Sequence, residues 1–522
     1  MGKWPRSGVG CQFSLMERAV ELGVLLVVAT LALRILTMPA ARRELREQPR
    51  FAAALVLLGV AALAIVTWAA ARSPIALRSI SIVAGIYVVV LAWRSRPNFG
   101  RSRSRPPGSL GLKNSLDAIV DRSFYLGQLQ RHGRVFKTAQ FHQPVVCIVD
   151  IGKGRELLKC ETENLALAPL PISAEIPRGF IRYMKPDDYA VYSRLFRSAF
   201  SEDVLEANRG LVRDAARREL VELAAASDAA QHDGIDPRRS IERLMFTVLL
   251  RIYFGDVIEP SDRSVIEACC RDIGSGNSIG RASPIARRAL QTFEKLIRER
   301  SDGVSAGAQG NTDRPSVWGE ILSLNPDAGA DSTAIGNLLL LLGASRDSIG
   351  GLLMWILKNV ADSPESIETI RGAERGDARA DDPTERAVYE TLRLAQSEYV
   401  YRKVTRSIEF DGFEIPKGWL IRICVAEVHR QDPPFDRPEM FDPARFVRRR
   451  FSSNEFSPFG LDQHACLGAQ LTLLISRVFV DVLARDFDVR VVADDAPERG
   501  NRHWNHWRTS SEFRIALSRR TA

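Results

Sequence analysis

Along the first hundred residues the apolar positions form long, nearly unbroken runs, whereas beyond them they recur every three or four residues. The run Phe51–Ala71 carries no charged side chain and is long enough to cross a bilayer as a helix. Ala19–Met38 has only Glu21 and Arg34 as charges, and Ile75–Trp93 only Arg78, all near the ends, where long side chains reach the interface. We therefore expect a membrane segment over 1–98 with three transmembrane helices at 19–38, 51–71 and 75–93. A cleaved leader does not fit, because the first run is long and two more follow. Three helices of a soluble bundle are the alternative, and the charge-free middle run speaks against it.

Arginines set the orientation. Pro39–Arg50 and Arg94–Pro107 are rich in them, while the start of the chain and the stretch after Ala71 are poorer. The positive-inside bias then puts the N-terminus outside and everything after Trp93 in the cytoplasm. The stretch 99–111 reads as a basic, proline-stiffened linker lying against an anionic leaflet.

From 112 to 522 the pattern is that of a folded domain. Helical periodicity is strongest over Arg238–Phe254, Asn337–Val360, Thr384–Leu394 and Leu467–Phe487. Strand alternation appears over Arg134–Asp150. It appears again over Ile408–Ile423, where Asp-Gly and Pro-Lys-Gly turns separate β-formers. Ser301–Ser316 and Arg371–Arg386, rich in Gly, Ser and Asp, read as exposed loops. The expected class is mainly α with a minor β-sheet.

Composition changes this picture little. With 45% hydrophobic and 26% charged residues the chain is ordinary globular material. The net charge of +9 is dispersed as Arg without a nucleic-acid motif, so we expect no nucleic-acid partner. The seven cysteines are Cys11, Cys147, Cys160, Cys269, Cys270, Cys424 and Cys466. They are odd in number, irregularly spaced and lack a CxxC pair, which points away from a disulfide scaffold or structural zinc. The paired histidines of His503–Trp507 read as packing or surface.

Cys466 stands apart. It sits on the glycine-punctuated loop Phe456–Gly468, at the doorstep of the apolar run that follows. A loop turning into a helix leaves backbone N–H groups without intrahelical partners, and these, with the helix dipole, stabilise a thiolate that can hold a metal. A purely structural cysteine is the alternative.

This loop resembles that of the cytochrome P-450 superfamily, the haem-thiolate monooxygenases, whose pattern is F-G-x-G-x-(R/H)-x-C-x-G. Phe459, Gly460, His464, Cys466 and Gly468 match it, and Asp462 replaces the second glycine. Glu390 and Arg393 match the family's E-x-x-R helix, and Arg445 in FDPARF its later arginine. The resemblance implies a buried structural Glu390–Arg393–Arg445 triad. Arg402 resembles the haem-propionate arginine, with a plain surface arginine as the alternative.

Ala344–Ser348 resembles the oxygen-groove motif (A/G)-G-x-(D/E)-T, with Asp347 and Ser348 in the acid and hydroxyl roles and Ser345 in place of glycine. Asp187–Ser201 resembles the family's (W/H)-x-x-x-R helix. Tyr189 takes the aromatic position, Ser193 stands where arginine is expected, and Arg194 or Arg197 substitutes for it.

The resemblance covers the chain from Leu110 onward. It implies a P-450-like haem-thiolate fold, haem b (iron protoporphyrin IX) on the Cys466 thiolate, and monooxygenation of a lipophilic small molecule. Electrons come from NAD(P)H through a separate ferredoxin- or reductase-type protein, since no flavin or iron–sulfur motif follows the cysteine loop. A peroxygenase or a rearrangement enzyme of the same fold, needing no redox partner, is one alternative. A membrane-tethered haem sensor without turnover is another.

Overall fold

The computed structural model describes residues 105–520 apart from 112–113, 115–116, 119–120, 141–142, 168–174, 231–232, 276, 279–280, 283, 306–314, 375–381, 397–399, 496 and 500–506. The three expected transmembrane runs, Cys11 and the histidines His503 and His506 lie outside these residues. The chain divides into two compact units, one of 1–124 with 137–144 and the other of 125–136 with 145–522. In the first, the Lys137 N–H donates to the Pro107 carbonyl at 2.7 Å.

The second unit is mainly helical. Its core is built by the helices Arg209–Ala230, Arg238–Phe254, Ser332–Ala361 and Ala469–Asp486, which pack on one another through their apolar faces. Three of these match the periodic stretches in the sequence to within a few residues. Ser332–Ala361, the central helix, is apolar and long enough to cross a membrane. It runs instead through the core, and the ion pair Arg346–Asp347 lies at its middle.

The central helix is fixed at its start. The Asp331 carboxylate caps the Thr333 N–H at 2.7 Å and accepts the Tyr192 hydroxyl at 2.6 Å. One turn on, the buried Asn337 side chain accepts from the Ile181 N–H at 2.7 Å and donates to the Gly179 carbonyl at 3.1 Å. This polar clamp ties the segment ahead of helix Pro186–Ala199 to the central helix.

The minor sheet pairs Val145–Ile148 in parallel with Leu420–Ile423, which runs antiparallel to Val400–Val404. The strands Ile408–Phe410 and Phe413–Ile415 form the expected hairpin. Asp411 and Gly412 both have positive φ, 52° and 77°, as a turn matched to strand twist requires. The two polar stretches expected as loops are helical where they overlap described helices. Helix Pro284–Ser305 runs into the first, and helix Pro383–Thr391 begins inside the second. There Pro383 opens the helix and the Asp382 carboxylate accepts the Thr384 N–H at 2.8 Å. A helix start of this kind is written in polar residues and passes for a loop.

Candidate active site

The cysteine loop is built around one left-handed residue. Gly460 has φ +102°, and a Cβ there would stand 3.3 Å from Ala465 Cα. That conformation folds the chain back, so the Cys466 N–H donates to the Phe459 carbonyl at 2.8 Å and the Ala465 N–H to the Asp462 carbonyl at 2.9 Å. Gly468 then caps helix Ala469–Asp486, its carbonyl accepting the Thr472 N–H at 2.8 Å. Cys466 is thus two residues from a helix N-terminus, on a surface that lines a cavity of about 280 Å³. Of the other described cysteines, Cys147, Cys269, Cys270 and Cys424 are buried and Cys160 is exposed.

The central helix forms the facing wall. Leu341, Ala344, Ser345, Ser348, Ile349 and Leu352 line the cavity. Ser345, where the family pattern has glycine, shares a hydrogen bond of 2.8 Å with the hydroxyl of the buried Tyr253 on helix Arg238–Phe254. Asp347 does not line the cavity. Its carboxylate pairs with Arg346 at 2.6 Å, and the Arg346 guanidinium stacks 5.3 Å over the Phe246 ring. Residues 347 and 348 project about 100° apart around a helix, so the two members of the expected relay face different surroundings.

A cationic cluster flanks the cysteine. Arg182, Arg402 and His464 line the cavity, and Arg197 reaches the loop from helix Pro186–Ala199, donating to the Gln463 carbonyl at 3.0 Å. The Tyr189 hydroxyl donates to the same carbonyl, and its ring lies 4.3 Å from that of His464. Arg194 is exposed and lies outside this cluster. Tyr189, Ser193 and Arg197 repeat every four residues on one helix face, and Arg194 points away from it. Arg197 is therefore the one of the two that meets the loop.

His464 Nδ1 is buried without a hydrogen-bond partner. Burial foremost, with Arg402, Arg182 and Arg197 adding and Asp462 opposing, holds this imidazole below its usual range. An orphaned donor or acceptor amid excess positive charge is what a flat ligand with an acidic edge would satisfy. On these residues the cavity fits haem. Cys466 would hold the iron, and His464, Arg402 and Arg182 would face the propionates.

Behind the loop lies a buried scaffold. The Arg393 guanidinium grips both Glu390 carboxylate oxygens at 2.8 Å, and Arg445 Nε donates to Glu390 Oε1 at 2.9 Å. Spare donors of both arginines go to backbone carbonyls, Arg393 to His429, Pro438 and Met440, Arg445 to Asp436 and Met440. Arg393 is the second residue of a π turn, Leu392–Gln396, that ends the Glu390 helix.

Two contributors to the loop escape motif reading. His429 Nε2 accepts the Ser457 N–H at 3.0 Å. Arg155, from helix Ile151–Cys160, donates to the Leu461 carbonyl and to Ser457 Oγ, each at 2.6 Å. His429 opens the stretch HRQDPPFDRPEMFDPARF and so carried a signal; Arg155 carried none.

A cytochrome P450 family model matches residues 339–515. Abscisic acid 8'-hydroxylase 2 of Arabidopsis thaliana is 25% identical over 420 residues, covering 75% of this chain and 85% of the relative. Abscisic acid 8'-hydroxylase 3 of Oryza sativa subsp. indica is 26% identical over 420 residues, covering 74% and 82%. Among solved structures, retinoic acid-bound cyanobacterial CYP120A1 superposes with a TM-score of 0.63 at 19% identity, covering 78% of this chain and 96% of the other.

Proposed function

We propose that this chain, which belongs to the cytochrome P450 superfamily and uses haem b with NAD(P)H-derived electrons, is a membrane-tethered hydroxylase of lipophilic small molecules. The observation that carries this reading is Cys466 at a helix N-terminus, across one cavity from Ser345 and Ser348 of the central helix. When bound, haem supplies O₂ activation and transfer of one oxygen atom to substrate.

The chain's own residues do the rest. The Cys466 thiolate holds the iron, favoured by the backbone N–H groups of the helix start. Glu390, Arg393 and Arg445 keep the segment behind the loop rigid and leave chemistry to the cavity. The Ser348 hydroxyl hands a proton into the cavity, while Asp347 acts at one remove by holding Arg346. Phe180, Ile181, Leu341, Ile349, Leu352 and Val400 make an apolar wall suited to an oily substrate.

The names of the relatives point to isoprenoid carboxylic acids, such as abscisic and retinoic acid, as the first substrates to offer. Electrons arrive from a separate redox protein. The runs at 19–38, 51–71 and 75–93 anchor the enzyme in a membrane, with domain 112–522 on the cytoplasmic side.

The test is the ferrous–CO difference spectrum of the purified protein beside Cys466→Ala. A strongly red-shifted Soret band in the parent, lost in the variant, supports the assignment; the same band in both overturns it. The pairing of Asp347 with Arg346, away from the cavity, favours a peroxygenase as the second reading. Turnover with hydrogen peroxide alone, set against turnover with reductase and NADPH, separates the two.

A further inference from the structure

Asp462 is the loop's departure from the family pattern, and its surroundings give it a use. It does not have positive φ; among the described non-glycine residues only Asp411 and Arg437 do. The loop therefore takes an ordinary side chain at 462 without backbone strain, and the left-handed requirement falls on Gly460. Both Asp462 carboxylate oxygens are engaged. Oδ1 accepts the His464 N–H at 2.9 Å, and Oδ2 accepts from Arg402 Nη2. Arg402 Nη1 donates to the Tyr401 carbonyl at 2.8 Å, so the guanidinium is held from two sides. The pair lines the same cavity as Cys466, with Arg402 side-chain exposure at 7% and that of Asp462 at 21%. Arg182, Arg197 and His464 are the neighbouring cationic or titratable groups, and Asp462 is the acid set against them.

We propose that Asp462 is a positioning residue that holds Arg402 and, as a fixed anion beside the cavity, lowers the reduction potential of the bound haem. The inference rests on the reading that Cys466 carries the haem iron. Two effects act in the same direction. A carboxylate on the lining of the cavity that would hold haem would favour the ferric form, which bears one more positive charge than the ferrous form. A guanidinium committed to Asp462 is also less available to neutralise the acidic edge of the haem, which leaves more negative charge there. Removing the carboxylate reverses both.

The test is a spectroelectrochemical titration of the substrate-free holoenzyme at one pH and ionic strength, with Asp462→Asn, Asp462→Gly and Asp462→Glu beside the parent. Asp462→Asn and Asp462→Gly should raise the midpoint by a ferrous-to-ferric ratio change on the order of tenfold, or about 59 mV for one electron. Asp462→Glu, which restores the charge, should stay close to the parent. An unmoved or lowered midpoint in Asp462→Asn, with the thiolate–CO band intact, overturns the role of Asp462 alone. A parent protein without that band overturns the ligand assignment and this proposal with it. Loss of haem from both uncharged variants would make Asp462 a retention residue and overturn its potential-setting role.

Discussion

His429 accepts the backbone N–H of Ser457 on Nε2 at 3.0 Å, while its own carbonyl accepts Arg393 Nη1 at 2.7 Å. One buried imidazole residue thereby joins the Glu390–Arg393–Arg445 network to the start of the cysteine loop. The loop is held from two further directions by Arg155 and Arg197. Its internal turn is local, but its seat against the rest of the domain is thus fixed by residues far from it in sequence.

The linkage carries a pH dependence. Burial, with a smaller contribution from the Arg393 charge, pushes the His429 pKa down from 6.5 to about 3. The folded imidazole stays neutral where the unfolded one takes up a proton. The unfolded state therefore binds more protons between about pH 6.5 and pH 3, and stability falls across that window as pH drops. Above it His429 contributes no slope. His429→Gln, which keeps an acceptor without a titrating group, should flatten the plot of urea midpoint against pH in that interval. Parallel plots for parent and variant would sink the assignment.

The Glu390 network makes a stability prediction. Arg445 is buried and its partner Glu390 fully so. Arg445→Ala leaves that carboxylate with one arginine and takes a donor from the Asp436 and Met440 carbonyls. A loss of about 3–5 kcal/mol is expected, read as a fall in denaturant midpoint together with reduced haem content. A fall under 1 kcal/mol would mean the network is solvated in solution.

Asp347 and Ser348, adjacent in sequence, should fail differently. Ser348→Ala removes a cavity hydroxyl and should leave folding and haem content intact. Product per NADPH should fall by about tenfold or more while hydrogen peroxide release rises. Asp347→Asn instead strips the buried Arg346 of its counter-charge. A destabilisation of about 3 kcal/mol is the expected first effect. Equal uncoupling with unchanged stability in both variants would contradict the geometry.

Tyr253 and Ser345 should be energetically coupled. Ser345→Gly, which restores the family's residue, leaves the buried Tyr253 hydroxyl unpaired at a cost of about 1–3 kcal/mol. Tyr253→Phe should cost about 1 kcal/mol, and the double variant less than the sum. A denaturation double-mutant cycle measures the difference, and strict additivity would show that the 2.8 Å contact carries no energy.

Much of this protein was legible in its sequence, for a physical reason. Helix Arg238–Phe254 and the hairpin around Asp411-Gly412 are set by local terms, namely apolar periodicity and the few residues that accept positive φ. The cysteine loop, too, is a local construction: Gly460, the backbone bonds it permits and a helix start lie within a dozen residues. A motif can record such a unit because its geometry needs little from elsewhere. Polar helix starts are where local reading slips, as at Pro383, because capping residues and loop residues share a chemistry.

Only the tertiary structure decided which neighbours each functional side chain meets. Arg197 rather than Arg194 reaches Gln463, and Ser348 rather than Asp347 lines the cavity, because the phase of each helix is set by the element it packs against. Asp462 finds Arg402 across sixty residues, and Arg155 finds Leu461 across more than three hundred. Spacing along the chain says nothing of such partners. They are selected by burial, which penalises any charge or hydrogen-bonding group left alone and so fixes pairs that only the folded chain brings together.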